Sequence, residues 1–371
     1  MKILIAGAGP AGCLAALELK NHNVTLIEEH QSAGFPVQCA GLISEDCFNE
    51  YSKYANVKKS LVNKIKGAAF FSPNGKFVEL EGKSKGIVVE RKLFDSFLLM
   101  EASKHADIKM KTKFNAKMVK NYDYIVGADG VYSAVSKHFN FKTPQIFLAK
   151  QIECKFECID REIVELYFGK SYSDGFFAYA IPIDDFARIG VVSKTNPSFY
   201  LKNLLKKHPS VSKRADTKKI IELNSGAIPI GLIEFVKDNV ALIGDSAAMT
   251  KPYTGGGLFY LLKAAKILGK NFPNLNAYFN EYVKSMKKEY EFGMKILKLY
   301  SVLNDKDFDE LVKIGLEYDL KAQTKNLHMD EPSTVLRIIP LLPKILKNFR
   351  LAAKIAKVFL MQSTNVLNLK L

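Results

Sequence analysis

The first residues able to do chemistry are glycines. Gly7-Ala8-Gly9-Pro10-Ala11-Gly12 follows the short apolar run Lys2-Ile3-Leu4-Ile5-Ala6, which reads as a strand. A helix over Cys13 to Lys20 is expected next, then a second strand, Val24 to Ile27, closed by Glu28. Each glycine has a physical task in such a turn. Gly7 permits the tight bend, Gly9 lets the backbone approach a pyrophosphate, and Gly12 lets the helix pack on the strand. The helix N-terminus offers free N–H groups and the positive end of its dipole to phosphates. Glu28 stands 16 residues past Gly12, at a strand end where a carboxylate can bind ribose hydroxyls. GxGxxG alone is weak, but the strand before it, the helix after it and the distal acid lift it above a chance glycine turn.

That motif serves both nicotinamide and flavin dinucleotides, and two later segments decide for FAD. Tyr124 to Gly127 is an apolar strand running into Ala128-Asp129-Gly130 and a Ser-containing helix start at Ser133. Asp129 is expected to fix this turn beside the pyrophosphate, a role compatible with capping the helix. Val240 to Ile243 is a second such strand, ending in Gly244-Asp245. An acid there can hold a ribityl hydroxyl or, through water, the pyrophosphate. Pro252-Tyr253-Thr254-Gly255-Gly256-Gly257 then opens a helix expected over Leu258 to Leu268. Its bare backbone can touch a flat ring, and its dipole favours negative charge on a reduced flavin.

Together these elements resemble the flavoprotein hydroxylase superfamily. The resemblance implies a Rossmann-type α/β fold in which a split FAD domain carries an inserted, sheet-based substrate domain. Within it, Pro36-Val37-Gln38-Cys39-Ala40-Gly41, the Arg91-Lys92-Leu93-Phe94-Asp95 element and the Pro252 to Gly257 turn are similar to the geranylgeranyl reductase family. That family saturates isoprenoid double bonds. The resemblance therefore implies hydride transfer from reduced FAD to an alkene, with an isoprenoid lipid as substrate and NAD(P)H or a ferredoxin-like protein as electron donor. It places Gly7, Gly9, Gly12 and Glu28 on the ADP half of FAD and Arg91 and Asp245 on its centre. It places Cys39, Ala40, Gly41, Gly256, Gly257 and Leu258 at the flavin. Cys39 and Tyr179 are the residues it nominates for catalysis, Cys39 as a thiol that positions substrate or relays a proton.

Two departures stand out. The family's Tyr-x-Trp-x-Phe-Pro stretch corresponds here to Phe177-Ala178-Tyr179-Ala180-Ile181-Pro182, so Tyr179 replaces a Trp and Ile181 a Phe. Lys251 stands where the family often has an acid. The bland alternative for Arg91 is a surface pair with Asp95, four residues on. The alternatives in function are an FAD-dependent hydroxylase and a flavin electron-transfer protein.

The elements that must position these residues divide the 371-residue chain into three parts. Residues 1–50, 85–145 and 236–275 should build the FAD domain, and 51–84 with 146–235 an antiparallel sheet that roofs the flavin. Residues 276–371 read as helices, expected over Asn276 to Leu303 and Asp307 to Tyr318. Beyond Pro332 come seven basic residues and no acid. Lys344, Lys347, Lys354 and Lys357 take one helical face; Ile345, Leu346, Phe349, Ala353, Ala356 and Leu360 take another. Such a helix can lie on an anionic membrane or pack on the core. The net charge of +16 is spread along the chain without a nucleic-acid module, which argues against nucleic acid and suits an acidic electron-donor protein. The five cysteines form no CxxC pair and no metal-ligand spacing, as in a reducing, cytoplasmic protein. No apolar run approaches the ~20 residues of a membrane span, leaving peripheral contact with the cytoplasmic face of a membrane as the expected mode.

Overall fold

The N-terminal apolar run forms β1 (Lys2–Ala6), buried at its last four residues, with β2 (Asn23–Ile27) parallel beside it. Between them α1 (Pro10–Glu18) starts at Pro10 rather than Cys13. Proline has no N–H to lose and its fixed φ suits a first helical turn, so the helix begins directly after Gly9. These elements belong to a computed structural model that describes residues 1–36, 39–334 and 348–360.

β1 and β2 sit inside a six-stranded sheet. Its order is β15 (Val236–Lys237), β16 (Val240–Leu242), β9 (Tyr124–Gly127), β1, β2 and β8 (Asp107–Lys109). All pairs are parallel except β15 with β16. The helices α1, α3 (Arg91–Ala102) and α6 (Leu258–Asn271) pack on one another along this sheet and, with α7 (Leu275–Val302), share its apolar core. Helices on the faces of a parallel sheet explain why its strands are apolar on both sides.

A seven-stranded sheet lies beside it. Its order is β14 (Ala215–Ile230), β10 (Gln145–Phe156), β13 (Phe186–Ser193), β12 (Ala178–Ile183), β11 (Ile163–Tyr167), β5 (Gly67–Phe71) and β6 (Phe77–Leu80). The antiparallel expectation holds for every pair but β5 with β11, which is parallel. These two strands lie far apart in the chain, so no hairpin sets their direction. A three-stranded sheet, β3 (Leu42–Ser44), β7 (Gly86–Val89) and β4 (Leu61–Ile65), bridges the two larger ones.

Both faces of the seven-stranded sheet are covered. Ile152, Ala180 and Ile189 pack against Leu201 and Leu204 of α5 (Pro197–Lys207). Phe147, Phe177 and Val192 pack against Leu297, Phe308 and Leu351 from the C-terminal helices. Glu165 and Arg188 are buried charges in these strands, whereas Thr217 to Ile221 of β14 stay exposed. Glu165 meets Arg214 at 2.6 Å and the Tyr167 hydroxyl at 2.5 Å.

The C-terminal region continues through α8 (Asp305–Glu317), α9 (Leu320–Thr324) and a helix over Phe349–Leu360. Arg337, Lys344, Ile345, Leu346, Lys347 and Lys370 of the basic segment lie outside the described residues. The helix over Phe349–Leu360 packs on the core along one side. Leu351, Ala352 and Val358 are buried and Lys354 pairs with Asp307, while Phe349 and Leu360 remain 84% and 81% exposed. No described helix is long and apolar enough to cross a membrane.

Candidate active site

The three sheets and the C-terminal helices enclose one cavity of about 780 Å³. Its phosphate-sized end is built by glycines. Gly7 adopts φ +100, and a Cβ on Gly12 would stand 1.8 Å from the Gly7 carbonyl oxygen, so only glycine allows α1 to approach. Gly9 has open space around its missing side chain, and it caps α1 with no side-chain bond. The first N–H groups of α1 are thus left for a ligand. Glu28 accepts from the Ala8 N–H at 2.8 Å and from both the backbone N–H and Nδ1 of His30, at 2.9 and 2.7 Å. A carboxylate has about four acceptor sites, so capacity for ribose hydroxyls remains. Glu28 and His30 both line the cavity.

Asp129 behaves differently from the other acids. It accepts from the Ser133 hydroxyl at 2.5 Å and from the N–H groups of Ala134 and Val135, at 2.7 and 3.1 Å. It is spent on the start of α4 (Ala134–His138), while its neighbours Ala128 and Gly130 line the cavity. Burial pushes its pKa up and these hydrogen bonds oppose the shift.

At the centre, Arg91 and Asp95 form a bidentate pair at 2.8 and 2.9 Å. The pair is buried, not on the surface, because the loop at Gly34 covers it. Arg91 and Cys39 both line the cavity, and Cys39 Sγ accepts from the Gly41 N–H at 3.4 Å. Asp245, beside the 3₁₀ turn Gly244–Ala247, lines the cavity, and its carboxylate has no hydrogen-bond partner among the described residues. Burial raises its pKa and Arg91 works against that. Gly256, Gly257 and Leu258 line the same wall at the start of α6, where no side chain caps the helix. A Cβ on Gly257 would lie 3.3 Å from the Asp245 carboxylate.

The apolar part of the cavity follows strand periodicity. Tyr179 and Ile181 of β12, with Phe177 just before it, point inward, and Ala178 and Ala180 point to the α5 side. Tyr179 donates to Gln151 Oε1 at 3.0 Å, and its ring lies across Gly190, where a Cβ would come within 2.3 Å. Burial raises the Tyr179 pKa, and Tyr179 and Cys39 both line this cavity. The two residues nominated for catalysis therefore share one cavity.

Sequence reasoning missed three features. Arg188, buried on β13, donates to the carbonyls of Ala40 and Val89, both at 3.0 Å, and to Glu90 at 2.9 Å and Glu153 at 3.2 Å. It pins the Cys39 loop to the strand before Arg91; an arginine inside an apolar strand was the available signal. Lys251 is 6% exposed and bonds Asp330, 1% exposed, at 2.6 Å. The Tyr253 hydroxyl donates to the Met329 carbonyl at 2.6 Å. Leu327 to Thr334 thus forms a strap along the cavity, tied to the glycine turn.

These residues fit FAD. The open glycine backbones suit a pyrophosphate, Glu28 a ribose, and the unpartnered Asp245 and uncapped α6 the ribityl and flavin groups. No family model matches the chain. An uncharacterized protein of Methanocaldococcus jannaschii is 30% identical over 86% of this chain and 89% of its own length. A digeranylgeranylglycerophospholipid reductase of Methanosarcina acetivorans is 31% identical over 72% of this chain and 74% of its own length. The protein of that name from M. jannaschii is 29% identical over 94% and 97%. Among solved structures, a geranylgeranyl bacteriochlorophyll reductase-like protein from Thermoplasma acidophilum superposes with TM-score 0.77 at 21% identity, over 94% of this chain and 98% of that one. A flavin-dependent halogenase, CmlS, gives TM-score 0.63 at 16% identity, over 94% and 78%. The structural likenesses establish the fold.

Proposed function

The chain belongs to the digeranylgeranylglycerophospholipid reductase family and is an FAD-dependent oxidoreductase, and from that premise we propose that it saturates carbon–carbon double bonds of geranylgeranyl-type lipids. The observation that carries the reading is a continuous cavity: the glycine turns that fit FAD open directly onto an apolar chamber walled by Leu166, Phe177, Ile181, Val192 and Ile228. A long hydrocarbon with isolated double bonds matches those walls.

FAD held by these residues would supply the hydride chemistry when reduced. The chain's own residues do the rest. Gly7, Gly9, Gly12 and Glu28 bind the ADP half, Arg91 and Asp245 the centre, and Cys39 to Gly41 with Gly256 to Leu258 border the ring. Asp129 supports this set by fixing its turn. The apolar walls exclude water and hold the alkene near the ring, which an isolated double bond requires because it is a poor acceptor. Cys39 Sγ carries the proton for the second carbon. The Gly41 N–H, which donates to Cys39 Sγ, holds the sulfur in place for that transfer. Tyr179 orients the chain from the opposite wall.

Electrons would come from NAD(P)H docking transiently or from a ferredoxin-like protein. The described residues contain one parallel dinucleotide-type sheet, and a net charge of +16 suits an acidic donor. Peripheral contact with an anionic membrane would use the exposed face of the helix over Phe349–Leu360.

The test is anaerobic. FAD-loaded protein is reduced with dithionite, geranylgeranyl lipids are added, and products are followed by mass spectrometry. A gain of about two mass units per double bond together with flavin reoxidation is expected. Unchanged lipid, with the flavin reduced until oxygen is admitted, would overturn the reading in favour of a hydroxylase or an electron-transfer protein.

A further inference from the structure

Two fixed positive charges line the cavity among the described residues, Arg91 and Lys251. Arg91 is neutralised within the cavity, because Asp95, which grips it bidentately, lines it too. Lys251 is arranged differently. Its counter-ion Asp330 is 1% exposed, bonds the ammonium at 2.6 Å and stands outside the described lining. The pair is therefore a dipole with its positive end on the cavity side.

Both members are fixed in place. The Lys251 N–H donates to the Gly256 carbonyl at 3.0 Å and the Gly255 N–H to the Lys251 carbonyl at 2.8 Å, so the turn closes on itself. The lysine side chain lies against it, and a Cβ on Gly256 would stand 3.0 Å from Lys251 Cε and 3.5 Å from Nζ. Nζ also donates to the Met329 carbonyl at 3.4 Å. Asp330 is held by the strap's own bonds. Its N–H donates to His328 Nδ1 at 3.3 Å, and Ser333 donates to Glu289 of α7 from its N–H at 3.0 Å and its hydroxyl at 2.8 Å. Burial works to raise the Asp330 pKa, but Lys251 outweighs it and holds the carboxyl below the usual carboxylate range, so the pair stays charged. The ammonium and the uncapped N-terminus of α6 thus bring the same sign of potential to one stretch of wall, Gly256 to Leu258. The opposing group there is Asp245, whose carboxyl burial pushes toward its neutral form.

We propose that Lys251 sets the reduction potential of bound FAD by stabilising the negative charge of the reduced flavin at this wall, and that Asp330 of the strap limits how strongly it does so. This rests on the placement of the flavin ring at Gly256 to Leu258. Two electrons and one proton added to neutral flavin leave one negative charge, which the oxidised form lacks. A fixed cation at the wall favours the reduced form and raises the potential, and a carboxylate behind that cation weakens the effect. A higher potential eases reduction by the electron donor and makes hydride harder to release. The buried pair therefore sets the balance between the two half-reactions.

The experiment uses the FAD-loaded protein and two variants, D330N and K251M/D330L, each checked for folding by circular dichroism. Potentials are measured anaerobically by dithionite titration against a reference dye. A shift from wild type reads as a change in the protein's preference for reduced over oxidised FAD, tenfold being about 30 mV for a two-electron couple. D330N leaves the cation uncompensated and should raise that preference at least tenfold. K251M/D330L removes both charges without stranding either and should lower it at least threefold, about 14 mV downward. The opposite signs separate charge from packing, since a loosened turn moves both variants the same way. If D330N does not fold, the sign of the K251M/D330L shift decides alone. Shifts of one sign in both variants, or both potentials within a twofold change of preference (about 9 mV), overturn the assignment. Wild-type protein that takes up no FAD overturns the cofactor placement and this assignment with it, whereas FAD uptake with unmoved potentials overturns this assignment alone.

Discussion

Arg188→Met is the most informative single change, because Arg188 holds the site together without touching the chamber. Its side chain is 6% exposed and makes four hydrogen bonds, two to carbonyls flanking the cofactor loop and two to Glu90 and Glu153. Methionine fills similar space but leaves Glu153 buried beside no cation and frees the Ala40 and Val89 carbonyls. Breaking a buried charge pair by removing one partner costs about 3–5 kcal/mol. At roughly 2 °C per kcal/mol for a large domain, the melting temperature should fall by roughly 6–10 °C. The Cys39 to Gly41 loop loses its anchor at Ala40, so FAD affinity should fall at least tenfold, a loss of about 1.4 kcal/mol. Arg188→Lys keeps the charge but not the fork and should recover less than half of either loss. Thermal unfolding and fluorescence titration of the apoprotein with FAD read the two effects. A variant melting within about 2 °C of the wild type and binding FAD within twofold would refute the role given to Arg188.

Three further outcomes follow from the same geometry. Gly12→Ala should yield protein that folds poorly and binds no FAD by absorbance, since its Cβ would stand 1.8 Å from the Gly7 carbonyl oxygen. His208 is fully buried against Tyr167 and Tyr172, and burial lowers its pKa to about 4 from an ordinary 6.5. The unfolded chain therefore takes up this proton first as the pH falls. Stability present above pH 6.5 is lost between 6.5 and about 4, by at most about 3 kcal/mol. Urea unfolding at pH 7.5 and pH 5 should show a smaller acid loss in His208→Gln than in the wild type, and an equal loss would exclude His208 as the cause. Lys251→Met should destabilise by about 3–5 kcal/mol by stranding Asp330, whereas Lys251→Met with Asp330→Leu should recover most of it; additive losses in thermal melts would show that the two do not act as a pair.

What was legible in the sequence was what short stretches of chain determine. Gly7, Gly9 and Gly12 do their work within one strand–turn–helix, so their spacing carries the geometry. Phe177, Tyr179 and Ile181 alternate into and along β12, and a period of two is enough to place them on one face. Arg91 and Asp95 are visible as a pair at i,i+4, but their burial comes from Gly34 folding over them, which no helical spacing reveals. The helix over Phe349–Leu360 shows the limit of periodicity. It has apolar residues on two faces, and only the packing of Leu351 and Val358 against the core tells which is covered. Arg188 was out of reach because its partners Ala40, Glu90 and Val89 lie 98 to 148 positions away. Lys251 makes the same point about charge. Beside its turn it looks like a departure that disturbs the flavin site, yet Asp330, 79 positions on, answers it at 2.6 Å. An acid at 251 would face that carboxylate inside the protein and raise its cost instead of neutralising it. The sign of the charge at the glycine turn is thus set by the strap, and the two positions must change together if either changes.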